Sequence, residues 1–216
     1  GYVGGQLTWT EDGGSRHAVR IPLVVRPVPL AAPAEVSSTG GAISYDVKFG
    51  YDGAFAAAPR GLVAATTRTA TVQDDPTDSA CSLTTPNAVI EPVTIPADTT
   101  YARFALFDDF TDAPDLDLCV FNSANQLVAN SGGATSAETA NLRNPAAGEY
   151  RVVVAPFDTG GPSATCTLFK WVLGSTAAGN MTVIAPATAV TGATGTINLS
   201  FTGLTAGTKY TGSVVY

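Results

Sequence analysis

The feature that most constrains this chain is the shortness of its apolar runs. They last four to seven residues and are then broken by Gly, Pro, Asn, Asp or Thr. Such runs suit strands that bury one face and are too short for an amphipathic helix of ordinary length. They also fall well below the roughly 20 apolar residues of a membrane-spanning helix, so no membrane insertion is expected. The prediction is an all-β chain of antiparallel β-sandwich or jelly-roll domains, with no helix longer than a turn.

The runs fall into groups. Gln6-Leu7-Thr8-Trp9-Thr10 and His17-Ala18-Val19-Arg20-Ile21 alternate around an Asp12-Gly13-Gly14 turn, which predicts a hairpin within residues 1–28. Arg26-Pro27-Val28-Pro29 closes it, because proline cannot serve a central strand. A linker of Ala, Pro, Ser and Gly follows, then strands at 42–49 and 61–72. Between 88 and 175 the signal is densest, with runs at 88–95, 101–107, 115–121, 126–129, 138–142, 149–155 and 165–173. Seven short strands at this spacing predict one sandwich over residues 79–175. Further strands are expected at 181–185, 194–201 and 208–216. Residues 29–78 and 176–216 each hold too few strands to cover an apolar face alone. They are therefore expected to pair as one outer sandwich into which the middle domain is inserted; the alternative is three units in a row, with the 1–28 hairpin and segment 176–216 each completed by further polypeptide.

Charge excludes some functions. The net charge is −7 with only three lysines, Lys48, Lys170 and Lys209. That leaves no basic face for nucleic acid. Twenty-nine threonines suit pleated, half-exposed surfaces. Lysine-poor, threonine-rich and glycine-rich composition is common in secreted β-proteins, so the chain reads as secreted. It opens in mid-pattern at Gly1-Tyr2-Val3, as a fragment of a longer precursor would.

Three stretches resemble known families. Residues 5–13, Gly-Gln-Leu-Thr-Trp-Thr-Glu-Asp-Gly, and 17–25, His-Ala-Val-Arg-Ile-Pro-Leu-Val-Val, resemble the closing strands of the fibronectin type III-like domain of subtilisin-like serine proteases. Asp115-Leu116-Asp117-Leu118, Leu127-Val128-Ala129-Asn130-Ser131, Ser136-Ala137-Glu138 and residues 144–154 resemble, in order and spacing, the bacterial pre-peptidase C-terminal domain. Cys119 departs from that pattern, where an aromatic is usual. Gly203-Leu204-Thr205-Ala206-Gly207-Thr208-Lys209-Tyr210 is similar to a turn of fibronectin-like modules. The resemblance implies a non-catalytic accessory region of a secreted protease, for substrate tethering or for stabilising the catalytic domain. Its partners would be that upstream domain and a protein or polysaccharide substrate. A stand-alone extracellular module for carbohydrate or fibrous protein, or an adhesive surface protein, is the competing expectation.

No catalytic residue is expected on the chain itself. The one histidine, His17, belongs to a strand, and the string around Ser136 lacks the proline and helix of a subtilisin-like nucleophile. Asp108, Asp109, Asp112, Asp115 and Asp117 crowd ten residues, so calcium, if bound, is expected there, as similar domains sometimes carry it at strand ends. The alternative is a solvated acidic loop. Among the middle-domain aromatics, Phe110, Phe157 and Trp171 stand near loop ends and are the candidates for a ligand surface. Alternation turns Leu116, Leu118 and Val120 inward and Cys119 outward, while Cys166 shares the inward face of Leu168. That predicts a disulfide between Cys81 and Cys119 and a buried Cys166.

Overall fold

The computed structural model describes residues 1–13 and 17–216. Gly14 of the expected hairpin turn lies outside the described residues. In chain order the strands are β1 (Val3–Thr10), β2 (Ala18–Val25), β3 (Leu30–Ala31), β4 (Ala42–Phe49), β5 (Gly53–Ala54) and β6 (Ala58–Ala64). Next come β7 (Thr66–Gln73), β8 (Val89–Ile95), β9 (Tyr101–Ala105), β10 (Asp115–Phe121), β11 (Leu127–Ser131), β12 (Thr139–Arg143), β13 (Gly148–Asp158) and β14 (Ser163–Leu173). The last are β15 (Met181–Ile184), β16 (Thr188–Ala189), β17 (Thr194–Phe201) and β18 (Tyr210–Val215). A single 3-10 turn, Asp108–Phe110, is the one helical element among the described residues. No described helix is long and apolar enough to cross a membrane.

Two compact units divide the chain. One comprises residues 1–58, 182–202 and 216, the other 59–181 and 203–215. In the first, the sheet order is β15-β17-β4-β3. The β17–β4 ladder pairs Ile197 with Tyr45 and Leu199 with Ile43, so residues from both ends of the chain share a sheet. Its core includes Val47, Phe49, Ile197 and Leu199, and Phe49 meets Phe55 edge to face at 4.9 Å. Hairpin β1–β2 belongs to the same unit, yet every described residue in it is exposed. Register places Val3, Leu7 and Trp9 of β1 on one face with Val19, Ile21, Leu23 and Val25 of β2. Each of these seven is at least 44% exposed.

The second unit holds an eight-stranded jelly roll. One sheet runs β11-β10-β13-β8 and the other β12-β9-β14-β7. The first strand pairs with the last, β7 with β14, and the second with the next to last, β8 with β13. That nested pairing is the jelly-roll connection. Leu116, Leu118 and Val120 of β10 and Val152 and Val154 of β13 point into the core with Phe104 and Leu142 from the facing sheet. Burying each such Leu or Val contributes about 1.5–3 kcal/mol, and the removal of one leaves a cavity as well.

The run at 61–72 was expected as one strand of the outer sandwich, and it is not. It breaks at Ala65, whose N–H donates to the Lys209 carbonyl at 2.9 Å. The first half, in β6, pairs with β18, and the second half is β7, the opening strand of the jelly roll. Val72 is fully buried in that core. The compact units accordingly divide near residues 59 and 181 rather than 79 and 175, and β18 joins the second unit instead of the outer sheet.

Candidate functional site

The connection from β9 to β10 carries chemistry on two sides. On the first, Phe107 precedes the 3-10 turn and Phe110 ends it, and both rings meet Phe169 of β14 edge-on, at 5.1 and 5.0 Å. Phe169 stacks in turn with Trp171 at 6.1 Å. The Lys209 ammonium lies over these rings, with Nζ 4.1 Å from the Phe107 centroid, 5.2 Å from Phe110 and 5.9 Å from Phe169. Distances below about 6 Å give a favourable cation–π interaction. The main chain of Lys209 is held separately. Its carbonyl accepts the Ala65 N–H and the Trp171 indole N–H, the latter at 3.3 Å.

Of the three residues expected on a ligand surface, two are accessible. Phe110 is 43% and Phe157 41% exposed. Trp171 is corrected: it is 3% exposed and packs with Phe169, Leu173 and the partly buried Val63. The β6–β18 ribbon supplies Val63, so β14 is covered on its outer face as well as its inner one. Phe157, at the end of β13, makes no ring contact with the Phe107–Phe110–Phe169 group among the described residues. Nothing in the sequence links Lys209 to these rings, since it stands far beyond Phe107 in the chain.

The second side is acidic. Asp108, Asp109 and Asp112 are exposed and do not gather. The 3-10 turn aims the first two at solvent. Asp115 and Asp117, two apart on β10, share its outward face and are partly buried. Asp115 stands opposite Asp158 of β13. Glu138, 3% exposed, approaches both and accepts a hydrogen bond from the Ser131 hydroxyl. Burial, then Glu138 and Asp158, raises the Asp115 carboxyl above its usual range. Burial, then Asp115 and Glu138, does the same for Asp117. Oδ1 of Asp115 is buried without a hydrogen-bond partner among the described residues. The backbone of Gly132-Gly133 passes close over the group: a Cβ on Gly132 would stand 2.7 Å from Asp117 Oδ1, and one on Gly133 2.9 Å from Glu138 Oε1. Only two of the five expected aspartates therefore join, and their companions Glu138 and Asp158 come from elsewhere in the chain. Among the described residues no group of three or more His, Cys, Asp or Glu is arranged to hold a metal ion. The arrangement concentrates negative charge at one end of β10 without a formed coordination shell.

Other expectations resolve elsewhere in the chain. Cys81 and Cys119 form a disulfide with a Cα separation of 6.1 Å. Cys119 faces outward, under Cys81, Leu83 and Ala88. Cys166 is free and buried, and burial outweighs the opposing effect of Arg68 to push its thiol up to about 11. Ser136 is fully buried and its hydroxyl donates to the Ala113 carbonyl at 2.9 Å. A hydroxyl so engaged is sealed from substrate. His17 lies in the exposed hairpin, with Nδ1 3.1 Å from the Glu11 carboxylate. No protein-family model matches this chain, and no curated protein matches it.

Proposed function

We propose that this chain is a non-catalytic accessory region of a secreted subtilisin-like serine protease. The observation that carries this reading is where the resembling stretches lie. Asp115-Leu116-Asp117-Leu118 opens β10, residues 127–131 are β11, Ser136-Ala137-Glu138 leads into β12, and residues 148–154 open β13. These are successive parts of one jelly roll, and β10 is hydrogen-bonded to both β11 and β13. The bare apolar face of hairpin β1–β2 fits the fibronectin-like reading, since a lone hairpin needs a packing partner. The Cys81–Cys119 disulfide fits an oxidising, extracellular setting. In this role the region tethers the enzyme to a protein or polysaccharide substrate, or stabilises the catalytic domain. The test is the precursor expressed with and without residues 29–216. Tethering predicts unchanged hydrolysis of a small chromogenic peptide and a several-fold loss on an insoluble substrate. Stabilisation predicts a lower melting temperature for the catalytic domain. A precursor with no Asp, His and Ser triad upstream ends the proposal. A stand-alone binding module is the second reading, favoured by the half-exposed rings of Phe110 and Phe157. It predicts adsorption to cellulose, chitin or collagen that is lost on Phe110→Ala or Phe157→Ala.

A further inference from the structure

We propose that Phe107, Phe110 and Phe169 form a recognition cage for the alkylammonium group of a protein partner's lysine, methylated or not, and that Lys209 fills this cage in cis. The occupant itself reports the chemistry the cage accepts. An ammonium on a four-carbon stem already sits within 4.1–5.9 Å of three ring centroids. Among the described residues no carboxylate pairs with it. The ring faces, negative by their quadrupole, are its counter-charge.

Two features separate a cage from ordinary packing. The first is that Lys209 does not depend on its ammonium to stay in place. Its carbonyl takes two hydrogen bonds, from Ala65 N–H and Trp171 Nε1–H, and it immediately precedes β18, which is paired with β6. The side chain can therefore swing out while the backbone remains fixed. The second is that the cage has an open wall. Phe107 and Phe110 both pack edge-on against the buried Phe169, but Phe110 remains 43% exposed. A ligand ammonium can enter past Phe110 as the Lys209 side chain leaves.

Competition follows from this geometry. The cage is available only in the fraction of molecules whose Lys209 is out, and apparent affinity falls by that fraction. Removing the Lys209 side chain should raise affinity, and methylation of the ligand should raise it further, because a quaternary ammonium gives up less hydration. This inference stands apart from the protease reading and does not need it.

The experiment titrates the full chain with tetramethylammonium and with Nα-acetyl-trimethyllysine amide, followed by NMR. Ligand methyl signals should move upfield in the ring currents. Lys209→Ala should bind roughly tenfold more tightly than the parent. Lys209→Ala/Phe110→Ala should lose that gain, and Lys209→Arg should bind no better than the parent. Lys209→Met, which keeps the apolar stem, takes the place of Lys209→Ala if the latter fails to fold. In the parent chain, ligand should also shift the Lys209 ε-methylene protons downfield toward their free position. The proposal is overturned if the folded Lys209 variant shows no saturable binding. It is equally overturned if Phe110→Ala leaves binding unchanged.

Discussion

Burial and neighbouring carboxylates disfavour the ionised forms of Asp115 and Asp117, so their ionisation works against the fold. The sign follows from their raised carboxyl values. A group with a higher pKa folded than unfolded favours the native state below its unfolded value, and that contribution is lost as pH rises through the folded one. At pH 7 both sites therefore destabilise. Asp115→Asn and Asp117→Asn should each raise the melting temperature in chelator at pH 7, by about 2 °C. The difference should shrink as pH falls through the carboxylate range. An equal or lower melting temperature for both variants at pH 7 would remove the repulsion argument. Added calcium separates the two readings of this acidic face. A rise in the parent's melting temperature that is absent from Asp117→Asn means the carboxylates bind the ion. No change means a solvated acidic face. Glu138 and Asp158 were illegible in sequence because strand pairing and a loop bring them to β10, whereas Asp115 and Asp117 stand only two residues apart on one strand.

Among the elements, the outer faces of the jelly roll depend on particular fastenings. The disulfide pins residue 81 to β10 and closes a 38-residue separation. Restricting the unfolded chain in that way is worth about 2–4 kcal/mol. Cys119→Ala should lower the urea midpoint accordingly, and reductant should no longer affect the variant. Cys166 should remain unlabelled by a thiol reagent in the native protein and react only on unfolding, since it is 1% exposed. Labelling of native Cys166 at the rate of a free thiol would contradict its burial. At the β8 edge, Glu91 receives Lys170 of β14 and Arg68 of β7, which joins the two sheets. Burial would raise the Glu91 carboxyl, but hydrogen bonds from Lys170 and Arg68 outweigh it and leave it lowered. This contribution is present above the unfolded carboxylate value and is lost as pH falls through the folded one. The Arg68 side chain is 41% exposed, so water screens that arm. The Lys170 arm is better shielded, its two side chains being 16% and 13% exposed, so Glu91→Gln should cost about 1–3 kcal/mol in urea unfolding near neutral pH. A loss beyond that range would mean a pair far more shielded than this one.

For the chain as a whole, stability should be uneven. Hairpin β1–β2 has no buried residue among those described, while most of β10 and the central stretch of β13 are buried. Hydrogen exchange should find the β1–β2 amides close to unprotected and those of β10 and β13 protected to near the global unfolding free energy. Deleting residues 1–26 should leave the main melting transition within about 2 °C. Strong protection of β1–β2 would show that its apolar face is covered in solution. Local features were legible in the sequence. Alternation and turn residues placed β4, β10 and β17 at their observed bounds, and turned Leu118 inward and Cys119 outward. Strand bounds and side-chain facing depend on period and on turn chemistry, which neighbouring residues carry. Tertiary structure alone decided the partnerships. It divided the even, threonine-rich run at 61–72 between two sheets, buried Trp171 beneath a ribbon from both ends of the second unit, and placed Lys209 over three phenylalanines. Each of these depends on which distant strand supplies the second face, and a period-2 pattern looks the same whichever strand that is.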